Sequence, residues 1–138
     1  MATYTASEAQ SGIQPKGLRV GLVAVTSFYS LPASGSVGTT VQMVKVPQGA
    51  TPVMGWVSNN NAGQVTVQVG DGNDTDRFYT ETTLSSGMGA VAFYSNTTPA
   101  ALYTYSVDDT IDIVVSRVSI STLGGAFYLT CIFSMDIT

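Results

Sequence analysis

Apolar residues in this chain recur with a period of two, and nowhere do they sustain helical spacing at three, four and seven. Val65, Val67 and Val69 alternate with Gln64, Thr66 and Gln68, which predicts a strand with one buried and one polar face. Leu18 to Val25, Val41 to Val46, Pro52 to Ser58, Arg77 to Thr83, Ala90 to Tyr94, Leu102 to Tyr105, Ile111 to Val115 and Ala126 to Met135 read as further strands. The first of these is apolar at almost every position and is expected to be largely buried. Clusters of Gly, Pro, Asn and Asp separate the runs: Leu31 to Gly38, Asn59 to Gly63, Gly70 to Asp76 and Asn96 to Pro99. The Asn-rich cluster at 59 to 63 carries a hairpin signal, because Asn and Gly tolerate positive φ. Eight or nine short strands at this spacing predict an all-β, single-domain β-sandwich, jelly-roll-like, over residues 17 to 138. Residues 1 to 16 have neither the basic start nor the apolar stretch of a secretory signal. They are mostly small or polar and are expected to form a flexible arm.

Charge narrows the function. The 138 residues carry five bases, nine acids and no histidine, a net charge of -4. Five scattered bases do not make a nucleic-acid surface. Without histidine, Ser-His-Asp and Cys-His catalysis and histidine-based metal centres are excluded. The single cysteine, Cys131, cannot make an internal disulfide, and on its apolar strand it reads as a small buried hydrophobe. No apolar run approaches the roughly 18 residues of a membrane span. Charged residues make up 10% of the chain, against roughly 25% in an average soluble domain, yet hydrophobic residues reach 44%. A surface so poor in charge repels other proteins weakly, so it is expected to be covered by neighbours.

Several residue groups are candidates for chemistry. The segment Asp71, Gly72, Asn73, Asp74, Thr75, Asp76 places oxygen ligands at alternate positions, as a calcium loop does. Asp76 stands where an EF-hand loop needs Gly and Thr82 where it needs Glu, so an EF-hand is excluded. A looser calcium site on Asp71, Asn73, Asp74 and Asp76 is the weaker reading, and a solvated Asx-rich turn is favoured. Asp76 and Arg77 suggest a pair that fixes the loop or joins subunits, with simple solvation of both as the alternative. Asp108 and Asp109 are adjacent and would point to opposite faces of a strand, so they read as turn residues rather than as a catalytic carboxylate pair. Trp56, Tyr79, Tyr94, Tyr103 and Tyr105 could offer a sugar-stacking platform, but core or interface packing is the favoured reading. The interface candidates are therefore Asp76, Arg77, Tyr79, Tyr103 and Tyr105. No catalytic residue, metal or other cofactor is expected.

Four runs carry a family likeness: Val44-Lys45-Val46-Pro47-Gln48-Gly49-Ala50, Val65 to Asp71, Asp74 to Phe78, and Tyr105 to Asp112 ahead of a Gly-rich turn and a last apolar strand. This order of turn and strand residues, from about Val41 to Met135, resembles small virion structural proteins of tailed bacteriophages, several of which decorate or cement the capsid. The resemblance implies a non-enzymatic structural role, a homotrimer, and the major capsid protein as partner at junctions between shell subunits. It implies a place on the capsid surface of a virion assembled in the bacterial cytoplasm, with no nucleic-acid or membrane partner. A tail, head-to-tail connector or head-fibre component is the alternative within the class. A carbohydrate-binding β-sandwich module is the alternative outside it.

Overall fold

The computed structural model describes residues 3–6, 21–31, 36–60, 64–85, 90–94, 103–118 and 125–135. They form nine strands: β1 (Thr3–Thr5), β2 (Gly21–Ser30), β3 (Thr40–Val46), β4 (Thr51–Asn59), β5 (Val65–Gly70), β6 (Tyr79–Leu84), β7 (Val91–Tyr94), β8 (Asp109–Val118) and β9 (Ala126–Met135). Among the described residues no helix is long and apolar enough to cross a membrane.

The strands lie in two sheets, one ordered β1-β3-β8-β5-β6 and the other β2-β9-β4-β7. The chain changes sheet at every step from β2 to β9 except between β5 and β6, which pair as neighbours through the 71–78 turn. This is the order of a jelly roll, two four-stranded sheets wound from paired Greek keys. β1 adds a fifth strand, parallel to β3, at one edge.

Period-two patterning becomes the core directly. Val65, Val67 and Val69 of β5 are buried, and so are Ile111, Ile113 and Val115 of β8. Phe127, Leu129, Cys131 and Phe133 of β9 meet them from the opposite sheet, with Phe78 and Phe93 filling the space between. Pro52 cannot donate to the β4–β9 ladder, and the register shifts between Pro52 and Met54.

Four sequence expectations are corrected here. The Asn-rich turn after β4 does not close a hairpin, because β4 and β5 belong to different sheets. β2 is not largely buried. It is an edge strand, and Leu22, Ala24, Thr26 and Phe28 all point outward while Val23, Val25 and Ser27 point in. The expected strand from Leu102 is not one where it is described. Tyr103 to Tyr105 is an extended segment, and Tyr105 is held by backbone hydrogen bonds to Ala50 (N to O, 3.0 Å) and from Gly49 (N to O, 2.8 Å). Arg77 and Phe78 belong to the turn ahead of β6 rather than to the strand. Within the expected arm, Thr3–Thr5 forms β1, where Thr5 Oγ1 donates to Gln42 Oε1 (3.0 Å) and buried Ala6 bonds through its N–H to the Gln42 carbonyl. Residues 7 to 16 of that arm, Leu18 to Val20 of the first expected strand and the turn at 96 to 99 lie outside the described residues.

Candidate interface

The acidic turn between β5 and β6 folds back on its own strand. Gly70 lies so close to the backbone of Asp74 and Thr75 that a Cβ there would collide with both. Asp71 follows with 1% of its surface exposed. Its Oδ1 accepts the N–H groups of Asn73 (3.0 Å) and Asp74 (2.9 Å), the signature of an Asx turn. Its Oδ2 accepts Arg77 Nε (2.6 Å) and the Tyr105 hydroxyl (2.8 Å). Four donors thus occupy one carboxylate.

Arg77 is the centre of the second half of the cluster. Its guanidinium carbon lies 3.7 Å from the centre of the Tyr103 ring, and Tyr103 meets Tyr105 edge-on at 5.0 Å. A second carboxylate, Asp74 Oδ2, stands 4.0 Å from Nη1. Burial works to lower the Arg77 pKa, but the hydrogen bond and charge of Asp71 outweigh it and the net direction is upward. Burial, followed by the charge and hydrogen bond of Asp71, pushes the Tyr105 hydroxyl far above its ordinary range. Tyr105 is a fixed donor, not an acid.

The structure therefore re-sorts the sequence candidates. Asp71 and Arg77 form the loop-fixing pair expected of Asp76 and Arg77. Adjacency in sequence misleads, because the Asx turn carries Asp71 back to Arg77 while Asp76 takes its own place in the turn, its N–H bonded to Asp74 Oδ1 (3.4 Å). A side-chain hydrogen bond with Asp74 and partial burial raise the Asp76 pKa. Tyr105 is 2% exposed, so as an interface candidate it is withdrawn into the core. Tyr103 and Tyr79 are half-buried against that core. The calcium candidates Asp71, Asn73, Asp74 and Asp76 are in one turn, but the oxygens of Asp71 are already engaged by protein donors, and among the described residues no three acidic or cysteine side chains gather as a metal site.

Asp108 and Asp109 stay in the β7–β8 connection and at the start of β8. Asp108 Oδ1 accepts the Gln48 N–H (2.8 Å), and Asp109 Oδ1 accepts the Thr110 N–H (2.8 Å). Asp112, which the sequence groups with Asp108 and Asp109 as a turn or strand-entry residue, is buried on β8. Burial raises its pKa to about 7 against the lowering effect of a hydrogen bond from Thr110 Oγ1 (2.7 Å), and the charges of Asp109 and Asp71 add to the rise. Burial also pushes the Cys131 thiol up to about 12.

The feature absent from the sequence candidates is a whole sheet face. The outward side chains of β2, β9, β4 and β7 include Leu22, Phe28, Tyr128, Ile132, Met54 and Trp56, with threonines and serines between. Leu22 is 70% exposed, Phe28 59% and Tyr128 40%, and Phe28 stacks on Tyr128 at 6.1 Å. Thr26 and Thr130 share a hydroxyl bond at 2.9 Å. None of the four strands contains a charged residue. On the opposite sheet the outward residues include polar and charged ones: Thr66 bonds Thr83, and Glu81 takes Ser116 and Arg117.

Fold and site together define a jelly-roll domain whose densest polar cluster fixes a turn. No protein-family model matches the sequence, and no curated protein matches it. Solved structures do. A chain in the capsid of Ralstonia phage GP4 superposes with a TM-score of 0.78 at 14% identity, covering 99% of both chains. A chain of the cyanophage Pam1 capsid asymmetric unit gives 0.67 at 14% identity over 94% of this chain and 96% of that one. The acid-stable capsid of Helicobacter pylori bacteriophage KHP30 gives 0.54 at 14% identity over 83% and 92%. At such identities the likeness is one of fold, and it is a fold found in phage capsids.

Proposed function

We propose that this chain is a non-enzymatic structural protein of a tailed-phage virion, a decoration or cement protein that sits on the capsid surface as a homotrimer. There it bridges major capsid protein subunits at their junctions and stabilises the shell. The observation that carries the reading is the end-to-end match with a capsid chain, 99% of each at a TM-score of 0.78. Two features of the chain support it. Its surface is poor in charge, and a shell of many copies rewards weak contacts through avidity. Its densest polar cluster is closed on itself, which is expected of a scaffold and not of a catalyst.

The test is quantitative mass spectrometry of purified particles. A copy number comparable to that of the major capsid protein supports a cement. A few copies per particle would move the chain to the tail, connector or head fibre, and absence from the particle would end the virion reading. The exposed Phe28–Tyr128 pair favours one second reading, a carbohydrate-binding module, because stacked sugars need such aromatics. Glycan-array binding by the isolated chain separates the two.

A further inference from the structure

We infer that the outer face of the β2-β9-β4-β7 sheet is the surface through which one copy of this chain joins another, so that its occupant is a second copy. The inference deepens the oligomeric part of the proposed function and rests on it, but it does not depend on where in the virion the protein sits.

The first argument is the segregation of charge. All ten charged residues among the described ones lie on the other sheet or in the turns and connections around it: Lys45, Arg77 and Arg117, with Asp71, Asp74, Asp76, Glu81, Asp108, Asp109 and Asp112. With a net charge of -4, two copies repel where those acids meet. The neutral face is where they can approach without burying an unpaired charge. It also has no charge with which to select an acidic or basic partner, and an identical copy brings a surface of the same kind.

The second argument is size. Four strands about 4.8 Å apart, with ten residues rising about 3.3 Å each, give a footprint of about 19 by 33 Å, or roughly 600 Å² before the short β7 is allowed for. Covering it on one copy and an equal area on the next removes roughly 1,100 Å², just above the roughly 1,000 Å² that a specific interface must clear. The face also has an interface's composition: aromatic and methionine side chains at its centre and edge, hydroxyls between them, and no lysine or glutamate. Leu22 and Phe28, on the edge strand β2, are its most exposed large side chains.

The experiment is light scattering on the purified full chain across a dilution series, for the wild type, Phe28→Asp and Val107→Asp. Phe28 and Val107 are both exposed apolar residues, but Val107 lies off the sheet, ahead of β8. Circular dichroism confirms that each variant keeps its β spectrum, and Phe28→Ala is the milder variant if Phe28→Asp does not fold. The expected result is a wild-type mass of two or three times 14.4 kDa, twice where the face meets itself about a twofold axis and three times where it meets a different patch of the next copy in a closed ring, unchanged in Val107→Asp, and a fall toward 14.4 kDa in the Phe28 variant. An oligomer that survives Phe28→Asp overturns the inference, as does dissociation by Val107→Asp alone. A wild-type monomer also overturns it. If that monomer binds particles through Phe28, the occupant is the shell; if it binds glycans through Phe28, the occupant is a sugar. In the first case the virion reading stands while this one falls.

Discussion

Replacing Asp71 by Ala removes the acceptor on which four donors converge, and its cost can be worked from the contacts. Asp71 is 1% exposed and the Arg77 side chain 12%, so Asp71→Ala breaks a buried ion pair and leaves a cation inside. Breaking such pairs costs about 3–5 kcal/mol. Arg77 keeps the Tyr103 ring at 3.7 Å and Asp74 at 4.0 Å, which places the expected loss at the lower end, about 3 kcal/mol. Tyr105→Phe deletes only the hydroxyl that bonds Asp71 at 2.8 Å. A hydrogen bond to a charged group contributes about 1.5–3 kcal/mol, and Asp71 retains three other donors, so about 1.5 kcal/mol is expected. The double variant is the decisive one. Once Asp71 is gone the Tyr105 hydroxyl is a buried donor without its acceptor, so removing it costs nothing further, and the double variant loses about 3 kcal/mol rather than the additive value of about 4.5. The assay is urea unfolding at one fixed protein concentration, reading the midpoint at constant slope. Strict additivity, or a loss in Asp71→Ala below about 0.5 kcal/mol (the scale of a neutral surface change), would refute the claim that one carboxylate locks this turn.

Asp112 makes stability depend on pH. Its folded pKa is raised to about 7 from 3.8, so the folded state holds a proton that the unfolded state releases. Stability is then greatest near pH 4, falls as pH rises toward 7 and levels off above; Asp112→Asn flattens this fall, raising the urea midpoint at pH 8 by the equivalent of at most about 4 kcal/mol and leaving it unchanged at pH 4. Gly70→Ala pushes a Cβ into the backbone of Asp74 and Thr75 and is expected to lower the thermal midpoint by the equivalent of about 1–3 kcal/mol, read by calorimetry. Cys131, buried and with its thiol pushed up to about 12, should ignore a thiol-specific dye at pH 8 and react fully once urea unfolds the chain.

How much of this was legible beforehand depended on whether the deciding contact was local. β5 was readable because buried Val65, Val67 and Val69 have Thr66 and Gln68 between them, and β8 because its apolar run carries buried Ile111, Ile113 and Val115. β2 defeated the same rule. Both of its alternating sets are apolar, so period two identifies a strand without saying which face is inward, and only its register against β9, which sets Val23 beside Phe133 and Phe28 beside Tyr128, decides that Leu22 and Phe28 face out. β1 is three residues long and pairs with a strand more than thirty residues away, so no local pattern marks it. The acidic turn was readable as a turn, yet its central residue was not. Asp76 stands next to Arg77 in sequence, while Asp71 reaches it only because the Asx turn reverses the chain.

The chain's low charge takes on a more specific meaning once the sheets are known. Had its few charges been spread evenly, each surface would be weakly polar and none would stand out as a contact. Instead, β2, β4, β7 and β9 contain none, and the five-stranded sheet with its turns holds every one described. A jelly roll makes such a division possible, because consecutive strands alternate between sheets and two neighbouring runs of sequence can serve opposite faces. The β4-to-β5 step shows it: Met54 and Trp56 face outward on the uncharged side, and about ten residues later Thr66 and Gln68 lie on the polar one. The same alternation explains why average composition shows a chain poor in charge but not which surface lacks it. The face is written in every second residue of four separated segments, and only the folded order β2-β9-β4-β7 brings them side by side.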